Sequence, residues 1–278
     1  MQTPAIRIIS LFLVALNVAL PRECAYSDTP NFGRATQSPG EEPRLAANTP
    51  RQPSVKPSPV ATVLRWGDTM LSRADEIEGY SCTFTKRERI SGRLGERQVF
   101  QAKIRHRPFS VYLKCQSPRS MAQTEAVWVE GRNNGNLLAR GNGIKSILGT
   151  MALDPNGYMA MQDNLHPITD IGVRNLVQKM ITTTQHDARL GEVGVVFRRN
   201  AKVGDRVCTC VEFDHPVPKR GLRYRLSRLY IDDELSLPIR FEGYTWPRQR
   251  GGDPVLFEEY TYTNVKLKNE LTDHDFQL

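Results

Sequence analysis

The sequence predicts an α+β domain in which helices cover one face of a strongly curved antiparallel sheet of about nine to eleven strands. Three observations lead to this fold class. Two stretches repeat apolar residues every three or four positions, as amphipathic helices do. Most of the remaining region alternates apolar with polar residues, as half-buried strands do. Short turn sequences join these strands and leave no room for crossover helices.

Residues 1–25 have the layout of a secretory signal peptide, in which a positive charge precedes a short apolar run and a cleavage region. Arg7 supplies the charge, residues 8–20 form the apolar run, and the region ends near Ala25. The run is too short to span a bilayer, which takes about 20 apolar residues. We therefore expect a periplasmic or secreted protein, with retention by an uncleaved N-terminal segment as the alternative.

Residues 26–58 are rich in proline and poor in large apolar side chains. Such a segment cannot bury enough surface to offset the entropy of ordering it. We expect a disordered proline-rich linker here, followed by a single domain at residues 59–278.

The first helix is predicted to begin at Ser58 and Pro59, because a capping hydroxyl followed by proline is a typical helix start. Its apolar stripe ends near Ile77. The other members of the stripe are Val60, Val63, Leu64, Met70, Leu71 and Ala74. Strands follow at once, so we expect the stripe to face a sheet.

Residues 79–118 predict three strands, each with one apolar face. The apolar faces consist of Cys82, Phe84, Ile90, Phe100, Ala102, Ile104, Phe109, Val111, Leu113 and Cys115. The opposite faces are basic: residues 79–120 hold ten Lys or Arg and two Glu, a surplus as large as the formal net charge of +8 of the whole chain. A solvated sheet face is the simplest interpretation of this basic surface. Attraction to anionic lipid head groups is the next, since each nearby Lys or Arg contributes about 1 kcal/mol.

The middle of the chain predicts a hairpin at residues 125–140, where Asn134-Gly135 favours positive φ at both central turn positions. Residues 154–157 predict another turn. A second amphipathic helix follows, capped by Thr169 or Asp170. Its stripe consists of Val173, Leu176, Val177, Met180 and Ile181. Later strands are predicted at residues 195–197, 206–213, 222–246 and 257–268.

Within residues 222–246, Leu237, Ile239 and Phe241 alternate with polar or small neighbours, as one strand of a hairpin would. The preceding strand ends near Ile231, and an acidic turn at residues 232–234 separates the two. The turn is too short for a crossover, so the strands are expected to be antiparallel.

The closing strands resemble those of the LolA/LolB-like outer-membrane lipoprotein-carrier superfamily at residues 229–232, 237–242, 260–267 and 271–276. Residues 154–161 and 166–172 resemble, more specifically, a family of secreted bacterial proteins of unknown function assigned to that fold. The resemblance covers roughly residues 60–278. It implies an open half-barrel that holds acyl chains between the sheet and the covering helices.

We therefore expect a non-enzymatic cell-envelope protein that binds or carries a lipid, acyl chain or lipoprotein in an apolar cavity. The alternative is a structural or protein-interaction module with a filled core and no ligand. The candidate cavity residues are Phe84, Ile104, Leu113, Trp128, Ile231, Ile239 and Phe241. The candidate contacts to an anionic head group are Arg87, Arg89, Lys103 and Arg105. We expect a monomer. We also expect no nucleic-acid partner, because an exported chain does not meet cytoplasmic targets.

The reactive residues form no recognisable motif in the sequence, so no cofactor, metal or catalytic group is expected. Cys208 and Cys210 lie two apart in a strand, where their side chains run parallel, so they are not expected to bond each other. A bridge from either one to Cys82 or Cys115 is left open. The five histidines are scattered, and we interpret them as surface or loop residues.

Overall fold

The computed structural model describes residues 58–142, 149–249, 251–267 and 270–278. The predicted signal peptide and residues 26–57 of the predicted linker lie outside the described residues, so both stay predictions. None of the helices in the described ranges combines the length and the hydropathy that a membrane span requires.

The described residues contain three α-helices: α1 (Pro59–Asp75), α2 (Tyr158–Met161) and α3 (Val173–Leu190). The predicted start of α1 is confirmed, because Ser58 Oγ accepts a hydrogen bond from the Ala61 backbone N–H at 3.2 Å. The described segments also contain 3-10 turns at Asn133–Gly135, Ile168–Asp170 and Asp273–Phe276.

Within the described part of the chain, the sheet contains twelve strands. They are β1 (Gly79–Ile90), β2 (Arg93–Leu94), β3 (Gln98–His106), β4 (Phe109–Ser117), β5 (Glu125–Val129), β6 (Leu137–Arg140), β7 (Thr150–Leu153), β8 (Gly194–Val203), β9 (Arg206–Asp214), β10 (Leu226–Asp232), β11 (Leu237–Thr245) and β12 (Val255–Leu267). The count exceeds the prediction of about nine to eleven because β2 spans two residues, too few to show alternation.

The strand order is β7-β6-β5-β4-β3-β1-β12-β11-β10-β9-β8, with β2 paired to β1. The pairs along this path are antiparallel, and the described parts of β7 and β8 form the two open edges. The last strand therefore lies in the middle, between β1 and β11. The predicted α+β class and open antiparallel sheet are confirmed.

The predicted hairpin is confirmed as β10 and β11, with Leu229 opposite Phe241. A β-bulge interrupts its register between Tyr230 and Ile231. Bulges re-aim side chains, and Ile239, beside this bulge, packs with Val203 and Cys208, whereas Phe241 packs against the cluster that contains Leu229.

Helices α1 and α3 pack on each other and on strands β9 and β10. The buried residues of this contact are Val63, Met70, Val177, Met180, Ile181, Val211, Phe213, Leu229 and Ile231. The helices approach closely at Gly67, where a Cβ would lie 2.6 Å from Ile181 Cγ1. Glycine is therefore required for this helix crossing.

The predicted cap of α3 at Thr169 or Asp170 is wrong. The helix begins after Gly172, whose φ of 127° suits glycine. Two phenols from the sheet take the place of a capping side chain. Tyr262 Oη accepts a hydrogen bond from the Gly172 N–H at 3.0 Å, and Tyr80 Oη accepts one from the Val173 N–H at 2.9 Å.

The four cysteines of the described residues are buried and free. Cys208 and Cys210 do not bond each other, as predicted, and the bridge to Cys82 or Cys115 that was left open is not formed. Burial raises the pKa of Cys82 to about 12, which keeps it a thiol.

Candidate functional site

Two cavities lie on the inner face of the sheet. The larger, of about 430 Å³, is lined by α3, β1 and β9–β12, and we name it the helix cavity. The smaller, of about 340 Å³, is lined by α2, β1, β3–β7 and β12, and we name it the edge cavity. Both volumes lie in the range of small-molecule sites, roughly 300–1,000 Å³.

The helix cavity is mainly apolar. Its apolar lining includes Ile171, Leu176, Met180, Val193, Phe213, Leu229 and Phe241. Thr183 and His186 also line it and are exposed, so the cavity opens to solvent along α3. The edge cavity is likewise lined largely by apolar groups, among them Phe100, Leu113, Leu137 and Leu153.

Four residues line both cavities and form the wall between them: Phe84, His166, Ile171 and Tyr260. His166 and Tyr260 are the polar members of this wall, and both belong to a network of buried polar and charged side chains.

Glu258, on β12, is the centre of this network and is 0% exposed. Its carboxylate accepts hydrogen bonds from Tyr224 Oη and from Tyr260 Oη, the latter at 2.8 Å. His166 Nε2 lies 2.8 Å from Glu258 Oε2, and Arg223 approaches to 3.5 Å. A buried carboxylate needs such partners, because leaving it unpaired costs several kcal/mol.

A second buried carboxylate, Glu88 on β1, shares the Tyr260 hydroxyl, which lies 2.6 Å from Glu88 Oε1. A phenol has one proton and donates to one carboxylate at a time. Each of the two carboxylates has a nitrogen neighbour: Lys86 Nζ lies 2.9 Å from Glu88, and the His166 ring contacts Glu258. Lys86 also donates a hydrogen bond to Asn164 Oδ1.

His166 connects the sheet network to α3. Its Nδ1 lies 3.0 Å from Lys179 Nζ and 3.6 Å from Asp170 Oδ2. Lys179 and Asp170 form an ion pair of 2.6 Å. His166 and Lys179 lower the pKa of Asp170, so this carboxyl is ionised at neutral pH.

Burial alone would raise the pKa of Glu258, but contacts with His166 and the charge of Arg223 outweigh it and lower the pKa to about 2. For His166, burial lowers the pKa, yet the carboxylates of Asp170 and Glu258 outweigh this and raise it. Burial raises the pKa of Tyr260, which stays a phenol. The wall thus offers charged and hydrogen-bonding groups beside two apolar spaces, an arrangement suited to orienting an amphiphilic ligand.

Of the predicted cavity residues, Phe84 lines both cavities, Leu113 the edge cavity and Phe241 the helix cavity. The other four are Ile104, Trp128, Ile231 and Ile239, and they pack in or against the core clusters of the described residues and line neither cavity.

The predicted head-group residues lie on the outer face of β1 and β3, opposite Phe84 and Ile104. Lys103 and Arg105 each lie 2.9 Å from a carboxylate oxygen, of Asp275 and Asp273 respectively. The other two, Arg87 and Arg89, donate hydrogen bonds to backbone carbonyls. Contact of these four side chains with an anionic head group stays a prediction.

The interpretation of the histidines as surface or loop residues is wrong for His106, which lies in β3 with both ring nitrogens buried. His215 lies in a loop, as interpreted, but is buried. His166 lies in a loop but is built into the wall. The sequence carried one usable signal: Glu258 is in phase with Tyr260 and Tyr262, at an inward position of its strand, where a carboxylate is unexpected. Among the described residues, no group of three or more His, Cys, Asp or Glu is placed to hold a metal ion.

Several solved structures are similar to this chain. The Mycobacterium tuberculosis lipoprotein LppX is 11% identical, with a TM-score of 0.44 over 76% of this chain and 98% of that chain. A LolA superfamily protein from Nitrosomonas europaea is 13% identical, with a TM-score of 0.30 over 76% of this chain and 97% of that chain. A DUF1329 family protein from Desulfovibrio piger is 12% identical, with a TM-score of 0.38 over 79% of this chain and 97% of that chain.

A search of the curated proteins finds no match to this sequence. One family model matches residues 77–278, and its description is "protein of unknown function (DUF1571)". The predicted membership of a family of unknown function is thus confirmed.

Proposed function

This chain belongs to the DUF1571 family, and we propose that it is an exported carrier that binds an acyl chain of a lipid or lipoprotein in the helix cavity. The observation that supports this function is the cavity itself, about 430 Å³ with a mainly apolar lining. An acyl chain placed there gains roughly 25 cal/mol for each Å² of apolar surface removed from water.

The wall around Glu258 gives such a ligand an orientation. Apolar side chains such as Leu229 and Phe241 favour the hydrocarbon part, whereas Glu258, His166 and Tyr260 favour polar atoms. Binding of this kind needs no covalent step. We accordingly propose a non-enzymatic protein.

A scaffold with a filled core is the competing function. In that case the side chains that face α3 would occupy the space beneath it. The volume between Phe84, Phe213 and Phe241 favours the carrier instead.

A periplasmic or secreted location belongs to the same proposal. The layout of residues 1–25 supports it, and an apolar ligand has to be carried wherever it crosses water. A monomer is proposed as well, because one chain provides the whole lining of the cavity.

The experiment is to purify the mature chain, extract it with organic solvent for mass spectrometry, and titrate it with a fluorescent fatty-acid probe. We expect a bound lipid or saturable probe binding. Leu176→Trp, which fills the cavity from α3, should weaken probe binding at least about tenfold, since it removes the space that buries the chain. Val196→Trp is the matched control, because Val196 is exposed on β8.

A chain that carries no lipid and ignores the probe would overturn the carrier function and leave the scaffold. If the Leu176→Trp and wild-type chains bound the probe equally, the ligand would have to bind outside the helix cavity.

A further inference from the structure

The last turn of α3 carries a buried carboxyl group that lies outside the network around Glu258. Asp187 is 6% exposed and lines the helix cavity. His215, which directly follows β9, is 4% exposed, and its Nε2 lies 3.4 Å from Asp187 Oδ2. Asp187 lines the apolar space, and His215 lies behind it with both ring nitrogens buried.

The hydrogen-bonding capacity of this pair is not met. The 3.4 Å contact is longer than an ordinary hydrogen bond of roughly 2.7–3.2 Å. Neither ring nitrogen of His215 has a hydrogen-bond partner among the described residues. The Tyr224 carbonyl lies close enough to influence the pKa of His215 without hydrogen-bond geometry. Buried polar groups that lack hydrogen-bond partners destabilise a fold unless a ligand supplies the missing hydrogen bonds.

The position of Asp187 adds a second cost. A carboxylate in the last turn of a helix faces the negative end of the helix dipole, which disfavours it. Burial raises the pKa of Asp187 and lowers the pKa of His215. It therefore disfavours both the Asp187 carboxylate and the His215 imidazolium, the two charges that an ion pair would need.

Three of the cations near this end of α3 have other partners, and no ion pair joins Asp187 to Arg189 of the same turn. Lys219 Nζ donates a hydrogen bond to the Leu190 carbonyl at 3.3 Å. Arg225 is paired with Asp214, and Arg223 lies 3.5 Å from Glu258. The described residues therefore provide Asp187 with no hydrogen-bonded cation, and a positively charged group from outside the chain would fill that place.

We propose that Asp187, backed by His215, forms the subsite for the head group of the bound amphiphile, and that this head group is an aliphatic amine. This inference rests on the proposed function. An ammonium group has three donors and forms charge-assisted hydrogen bonds with the Asp187 carboxylate. A carboxylate head group would meet like charge, and an alcohol would lack the charge-assisted bond.

The length of α3 fits this arrangement. Asp187 lies eight residues beyond Lys179, about 12 Å along the helix. The head group then lies near the opening marked by Thr183 and His186, and the hydrocarbon chain runs over Met180 and Phe213 towards Leu229 and Phe241.

The test compares three chain-matched probes, dodecylamine, dodecanol and dodecanoic acid, as competitors of the fluorescent acyl probe at pH 7. Dodecylamine should bind at least about tenfold more tightly than dodecanol, because hydrogen bonds to charged groups exceed neutral ones. Dodecanoic acid should bind most weakly. Asp187→Asn should remove the preference for the amine. The control is Asp214→Asn, which changes the neighbouring half-buried carboxylate held by Arg225 and should keep the preference.

A measurement on the unaltered chain accompanies the variants: the ring resonances of His215 should shift on addition of dodecylamine. Equal affinities for the three probes, tightest binding of dodecanol or dodecanoic acid, or an unchanged His215 signal would overturn the amine subsite. The carrier function would survive any of these results. It fails only if the fluorescent acyl probe itself does not bind.

Discussion

Glu258 shows how one side chain organises the interior. Its carboxylate is fully buried, yet four polar groups from β12, from the segment before β10 and from the loop before α3 surround it. Removing a charge from such a group leaves its partners buried and unpaired, which is costly.

Glu258→Gln should therefore lower the free energy of unfolding by about 3–5 kcal/mol at pH 7. Urea denaturation measures the change. The control is Glu192→Gln, an exposed carboxylate after α3, which should change it by less than about 0.5 kcal/mol. Similar values for both variants would contradict the role assigned to Glu258.

The same residue predicts a dependence on pH. The pKa of Glu258 is about 2 in the folded chain and 4.5 ordinarily, so its stabilisation is complete above pH 4.5 and is lost as the pH falls towards 2. The shift corresponds to about 3 kcal/mol. The difference in unfolding free energy between the wild-type and Glu258→Gln chains should shrink as the pH falls from 4.5 towards 2. A difference that stays constant over this range would contradict the lowered pKa of Glu258.

Two histidines should titrate on opposite sides of the ordinary value of 6.5. Burial lowers the pKa of both, but the carboxylates of Asp170 and Glu258 outweigh it at His166 and raise the pKa there. At His215 burial prevails and the pKa is lowered. Proton NMR titration of the ring signals measures both pKa values, and the reverse order would contradict the contacts described for His166.

Helix α3 shows what neighbouring elements contribute to a helix. Its apolar stripe was evident, but its first turn has no side-chain cap of its own. The hydroxyls of Tyr80 and Tyr262 accept the N–H groups of Val173 and Gly172 instead. The sheet therefore determines where this helix begins, and the covering helix is bonded directly to β1 and β12.

Tyr80→Phe and Tyr262→Phe should each lower the free energy of unfolding by about 1 kcal/mol, as loss of a helix cap does. Thermal or urea denaturation measures the change. Tyr158→Phe is the control, since Tyr158 is 81% exposed on α2. If all three variants had the same stability, the phenols would not be caps.

At the scale of the whole molecule, the C-terminal 3-10 turn Asp273–Phe276 packs on the basic outer face of the sheet. Asp273 and Asp275 pair with Arg105 and Lys103. Phe276 is buried with Val127 and Val129 of β5, beneath the Arg105 guanidinium at 4.8 Å. The C-terminal turn thus covers the outer face of β3 and β5.

Phe276→Ala should cost about 3–5 kcal/mol of unfolding free energy, because it opens a cavity between the C-terminal turn and β5. Gln277→Ala, at an exposed neighbouring position, is the control. Urea denaturation distinguishes the two. A loss below about 1 kcal/mol for Phe276→Ala would show that the C-terminal turn is not packed as described.

The sequence by itself determined which face of most strands and helices is apolar, as at Phe84, Phe100 and Val177, and the antiparallel hairpin of β10 and β11. These features follow from local periodicity, because neighbouring residues alone decide which side of a strand or helix is apolar. The tertiary structure alone decided the site. Glu88 and Glu258 meet because β12 pairs with β1 across most of the chain, and Asp187 meets His215 because α3 packs beside β9. Such contacts depend on how the whole sheet buries its apolar face, which no local pattern encodes.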